Sequence, residues 1–116
     1  MIKFHFDRDF IRLYQKPSFS KSRQALALLS DRGIEFEDYR YIQHGIAEED
    51  FELLLGIAGI VRKQDLDKSI QFDLNNKQQL RELLQDNPKA LQRPILIKDG
   101  RAVIGRPPEN ILELLE

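Results

Sequence analysis

No cysteine occurs among the 116 residues. That absence removes disulfides, thiolate nucleophiles, thiolate metal sites and thiol redox switches together, because each needs a deprotonated or oxidisable sulfur. Histidine is scarce: His5 and His44 are the whole complement. They stand far apart and neither has a second ligand at helical spacing, so no metal site is expected. Gly45, Gly56 and Gly59 do not follow a strand at the spacing of a phosphate-cradling nucleotide loop, and no cofactor is expected. Neither sign of charge is in excess, with 18 basic residues against 19 acidic ones and a net charge of -1. Without a concentrated Lys/Arg face to neutralise phosphates, direct nucleic-acid binding is not expected. Apolar runs such as Leu53-Leu54-Leu55 fall far short of the ~20 residues of a membrane span. No charged-then-apolar leader opens the chain, so the expectation is a cytoplasmic protein with no membrane partner.

What is present, 41% hydrophobic and 32% charged residues, is the composition of a single soluble globular domain over residues 1–116. Ile2, Phe4 and Phe6 alternate with polar residues, and alternation resumes from Phe10 or Ile11 through Leu13 after Asp7-Arg8-Asp9, which predicts two strands in a hairpin. Pro17 breaks the pattern, Ser20 can cap a helix carrying Ala25, Leu26, Leu28 and Leu29, and Gly33 can close it. Ile34, Phe36, Tyr39 and Tyr41 predict a strand with a bulge near Asp38, both tyrosines on one face. Glu48-Glu49-Asp50 open a second helix as acids favoured at its positive end, with Phe51, Leu54, Leu55 and Ala58 as its buried stripe. From Val61 to Asn76 the pattern is mixed and predicts a short helix plus loop anchored by Leu66, Ile70, Phe72 and Leu74.

Asn76 can cap a helix with Leu80, Leu83 and Leu84, which must stop before Pro88. Lys98-Asp99-Gly100-Arg101 between two apolar runs is a hairpin signal. A last helix starting at Pro107-Pro108 presents Ile111, Leu112 and Leu115. The order predicts an α/β fold with a mixed sheet.

Three segments could carry chemistry. Ser20-Lys21-Ser22-Arg23 at a helix start offers free N–H groups and a partial positive charge to an anion, or is simply a cap with solvated cations. Gln92-Arg93-Pro94 enters an apolar strand and Gly105-Arg106-Pro107-Pro108 leaves the hairpin.

Taken together these segments are distinctive. The run Leu13-Tyr14-Gln15-Lys16-Pro17-Ser18-Phe19-Ser20-Lys21-Ser22-Arg23-Gln24-Ala25-Leu26, followed by Asn87-Pro88, Leu91-Gln92-Arg93-Pro94-Ile95 and Ile104-Gly105-Arg106-Pro107, resembles the glutaredoxin-linked arsenate reductase (ArsC) and Spx family over about residues 10 to 115. The resemblance implies a thioredoxin-like mixed sheet with a helical insertion, and a cis peptide bond before Pro94. It also implies an oxyanion bound by three arginines, here Arg93, Arg106 and, in Ile60-Val61-Arg62-Lys63, Arg62. These are expected to converge near Phe19 and the turn Ser20-Lys21-Ser22. The family cysteine, which attacks arsenate or acts as a redox switch, is replaced by Phe19, and the usual histidine and asparagine before the proline by Gln15 and Lys16. A phenyl ring has no nucleophilic or ionisable atom.

The expectation is therefore a non-catalytic relative with no catalytic residue. It would bind an unidentified protein partner or an oxyanion such as phosphate, sulfate or arsenate through Arg62, Arg93, Arg106, Ser20, Lys21 and Ser22. An arsenate reductase-type oxidoreductase and an Spx-like adaptor contacting RNA polymerase are the alternatives. Residues 1–9 lie outside the resemblance and are expected to add an N-terminal strand that covers a sheet edge or joins two copies as a homodimer.

Overall fold

The structure is a computed structural model that describes residues 11–73 and 75–115. The expected first strand with Ile2, Phe4 and Phe6, its homodimer contact, His5 and the anchor Leu74 lie outside the described residues. The chain divides into two compact units, one running to Arg40 and resuming at Arg93, the other Tyr41–Gln92.

The first unit holds a four-stranded mixed sheet. Strand β1 (Ile11–Tyr14) is followed by α1 (Ser20–Asp31) and by β2 (Glu37–Tyr39), which lies parallel to β1 with Arg12 opposite Glu37 and Tyr14 opposite Tyr39. Parallel neighbours need a crossover, and α1 supplies it. After the second unit the chain returns as β3 (Ile95–Lys98), antiparallel to β1, and β4 (Arg101–Ile104), antiparallel to β3. Asp99 and Gly100 turn the hairpin with φ of 56° and 69°, the positive values that match the twist of the strands and that glycine adopts without steric cost.

Alternation along β1 sorts its side chains. Ile11 and Leu13 join Ala25 and Leu29 of α1, Leu96 of β3, Ile111 and Leu114 in the core. Arg12 and Tyr14 face the other way: the Tyr14 and Tyr39 rings lie 4.7 Å apart, and Arg12 stacks over Tyr39 at 5.1 Å while pairing with Glu37 at 2.8 Å.

Strand β2 spans only Glu37–Tyr39: Ile34 and Phe36 precede it as partly buried residues against the core, and it does not continue to Tyr41, which instead begins the short helix α2 (Tyr41–His44) of the second unit. Tyr41 is fully buried there, and the Gly45 N–H closes the turn on its carbonyl at 2.7 Å. Burying a large side chain contributes about 1.5–3 kcal/mol, more than the ~1 kcal/mol span of strand preference on which the expectation rested. The C-terminal helix is a 3-10 helix, Pro108–Leu114, so burial repeats at the three-residue interval of Ile111 and Leu114, while Leu112 and Leu115 are only half-buried.

In the second unit a 3-10 turn, Glu48–Asp50, leads into α3 (Phe51–Leu55), which Gly56 ends. Phe51 and Leu54 are buried, but Ala58 lies beyond the helix and is exposed, contrary to the expected stripe. A 3-10 turn at Lys63–Asp65 is the short helix of the mixed stretch. Helix α4 (Lys77–Asp86) packs on α3, buries Leu80, Leu83 and Leu84, and stops before Pro88 as expected. Val61 and Leu91 bridge antiparallel, with the Arg62 N–H donating to Ala90 at 2.6 Å and the Gln92 N–H to Ile60 at 2.8 Å.

Candidate functional site

The segment from Gln15 to Ser22 joins the end of β1 to α1. Gln15 is fully buried; its N–H donates to the Tyr39 carbonyl at 3.1 Å and its Nε2 to Asp38 Oδ1. The Phe19 N–H then closes a turn on the Lys16 carbonyl at 3.0 Å.

Ser20 does not cap α1. Phe19 holds the N-cap position with an extended backbone, φ -98° and ψ 133°, and its carbonyl accepts the first helical hydrogen bond from the Arg23 N–H at 3.2 Å. Its phenyl ring can accept no N–H bond at the cap as a hydroxyl would. Among the serines of the turn, Ser20 is the exposed first helical residue, whereas buried Ser22 turns its Oγ back to accept from the Lys16 N–H at 3.1 Å. Lys21 is exposed. Arg23 donates from Nη1 to the Pro17 carbonyl at 2.9 Å.

The returning chain brings two arginines into the same unit. The bond between Arg93 and Pro94 is cis, in agreement with the resemblance, and so is that between Arg106 and Pro107. Arg93 is 2% exposed. Its guanidinium carbon lies 3.8 Å from the centre of the half-buried Phe19 ring, and Lys16 Nζ lies 4.9 Å from the same point. Cations within about 6 Å of an aromatic centre are attracted by the negative ring face. Arg106, at the end of the hairpin, donates from Nε to the Arg93 carbonyl at 3.0 Å, and its own carbonyl accepts from Asn110 Nδ2 at 3.0 Å.

Arg93 and Phe19 are thus in contact, and Arg106 is tied to the backbone of Arg93. Arg62 belongs to the second unit, where its Nε pairs with Asp65 Oδ2 at 2.8 Å. Lys16 is the neighbour of Phe19 that sequence reasoning misses; its signal is its own departure from the family residue beside the proline. The carboxylate of Asp38 is missed too, because its link to Gln15 depends on parallel pairing between strands distant in sequence.

Chemically, this end of α1 combines a positive helix terminus, two arginines and a lysine with an uncharged, non-nucleophilic ring at the helix start. It can attract negative charge. It offers no sulfur on which a covalent step could begin.

The family model for the ArsC family matches residues 14–114. An arsenate reductase of Neisseria meningitidis serogroup B is 40% identical over 115 residues, covering 90% of this chain and 97% of the relative. A global transcriptional regulator Spx of Listeria monocytogenes is 28% identical over 113 residues, with 90% and 86% covered. Among solved structures, an arsenate reductase from Vibrio cholerae superposes with a TM-score of 0.75 at 29% identity, covering 90% of this chain and 96% of that one. The mixed sheet with its inserted helices is the thioredoxin-like α/β fold of these proteins. With nearly the whole described chain inside the family match, this protein belongs to the ArsC family.

Proposed function

We propose that this chain is a non-catalytic member of the ArsC family that works by binding, with a protein partner as its ligand. One observation carries the reading: the position that the resemblance assigns to the reactive cysteine is Phe19, and the ring is packed on the guanidinium of Arg93. The family reaction begins with attack by a thiolate, and no residue of the chain can supply one. The fold around the position is kept, which supports a role for the surface without the chemistry. Exposed Ser20 and Lys21 and the partly exposed Lys16 and Arg106 border this end of α1, and a carboxylate-bearing segment of a partner suits the positive helix start.

The test has two parts. Purified protein supplied with glutathione, glutaredoxin and arsenate is expected to reduce no more arsenate than a protein-free control. Affinity capture from source cells is expected to retain a partner that Lys21→Glu loses. Turnover that persists through purification supports instead the reductase activity for which several relatives are named.

The Spx relatives favour a second reading, in which the partner belongs to the transcription machinery. Identification of the captured protein separates the two.

A further inference from the structure

The contact between Phe19 and Arg93 has a consequence for inorganic anions. Arg93 is 2% exposed, so neither the face nor the edge of its guanidinium is open to solvent. The half-buried Phe19 ring lies on that guanidinium with its centre 3.8 Å from the central carbon. This is stacking distance, well inside the range of cation–π attraction. On the same ring Lys16 Nζ stands at 4.9 Å. The ring therefore has a buried cation and a partly exposed one within 5 Å of its centre. The negative ring face offsets part of their charge.

The backbone holds the ring there. The Phe19 N–H is bonded to Lys16 at 3.0 Å and the Phe19 carbonyl accepts from Arg23 at 3.2 Å, so both sides of the residue are tied at the start of α1. Arg93 is held in turn by Arg106, whose Nε donates to its carbonyl at 3.0 Å.

We propose that the Phe19 ring is a built-in occupant of the Arg93 guanidinium, closing it to free oxyanions, so that the wild-type protein binds no inorganic phosphate, sulfate or arsenate through this arginine. The inference rests on the reading of the chain as a non-catalytic binding protein and deepens it. A partner must then be recognised at groups outside the Phe19–Arg93 contact, and the arginine serves to fix the ring. Replacing the ring by a methyl group uncovers the cation and creates a site for a tetrahedral oxyanion, which arginine binds in bidentate fashion.

The experiment titrates inorganic phosphate, sulfate and arsenate into wild type, Phe19→Ala and the double variant Phe19→Ala/Arg93→Ala. Heat of binding and melting temperature are followed, because a ligand selective for the folded state raises the melting temperature with its concentration. The expected result is no saturable binding to wild type, saturable binding to Phe19→Ala, and its loss in the double variant. Saturable binding to wild type that is lost in a parallel titration of the single variant Arg93→Ala overturns the proposal, as does a folded Phe19→Ala protein that binds nothing. A measurement on wild type alone keeps the proposal testable if Phe19→Ala does not fold. The ring-current displacement of the Arg93 side-chain proton resonances is expected to persist throughout a phosphate titration, and its saturable loss overturns the proposal. Arsenate turnover by wild type would count against the non-catalytic reading and leave the binding curves to judge the ring separately.

Discussion

Gly105 donates its N–H to the Pro94 carbonyl at 2.8 Å, and a Cβ on Gly105 would stand 2.9 Å from Cγ of Pro94 and 3.0 Å from Cγ2 of Ile111. The hairpin end and the start of β3 are this close because only hydrogen separates them. Pro94 and Ile111 are both buried and have little room to yield. Gly105→Ala is expected to destabilise the fold by about 1–3 kcal/mol, as overpacking does. Urea denaturation checks this: the midpoint should fall with the slope unchanged. An unchanged midpoint would mean that the proline ring moves aside.

Asn76 holds the first turn of α4, its Oδ1 accepting from the Gln79 N–H at 3.1 Å. Removing an N-cap acceptor costs about 1 kcal/mol, and substitution by glycine only a few tenths. Asn76→Ala is therefore expected to lower the unfolding free energy by about 1 kcal/mol and Asn76→Ser to restore most of it. Equal stability of the three proteins would show that the cap contributes nothing.

A thiol placed at the start of α1 should be acidic. In Phe19→Cys the sulfur would sit at the positive end of a 12-residue helix, on the residue that now contacts Arg93. Such surroundings are expected to bring its pKa below the ~8.5 of a free cysteine. The pH dependence of alkylation by iodoacetamide measures it. Arsenate reduction should nevertheless stay near background, because Gln15 and Lys16 still replace the residues that the family places beside the thiol. A pKa at or above the free value would show that the helix end and the arginine do not act on this position.

Asp67 accepts hydrogen bonds from the Ser69 N–H and from Ser69 Oγ, each at 2.8 Å. These bonds, the backbone one first, hold its carboxyl below the ordinary value of 3.8, with a smaller contribution from Lys89. A depressed folded pKa means that the carboxylate's contribution is present above the unfolded pKa and is lost as pH falls through the folded one. Ser69→Ala removes the hydroxyl bond and keeps the N–H. The Asp67 pKa, followed by NMR, is expected to rise toward 3.8 without reaching it. No change would assign the whole effect to the backbone.

Local signals were legible where a short stretch sets its own geometry. The Asp99-Gly100 turn, the Asn76 cap, the stop before Pro88 and the close of α1 at Gly33, whose φ is 65°, all depend on a few adjacent residues. Legibility failed where distant packing chose among local options. Tyr39 and Tyr41 have the same intrinsic preference, yet one ends a strand against Tyr14 and the other starts a helix with its ring buried in the second unit. The cap of α1 failed for a related reason: the turn from Lys16 to Phe19 starts the helix one residue earlier than the serine pattern suggests.

By itself, then, the sequence determined the class of fold through the order of its elements, the family through its distinctive segments, and the absence of any thiol chemistry through covalent identity, which needs no coordinates. A phenylalanine at position 19 has no nucleophile in any conformation. Tertiary structure alone decided what that phenylalanine does instead. Residues 19 and 93 are far apart in the chain, and only β3 lying beside β1 brings Arg93 to the start of α1. There, removed from water, a cation gains more from an aromatic face than it would in solvent, where hydration competes for its charge.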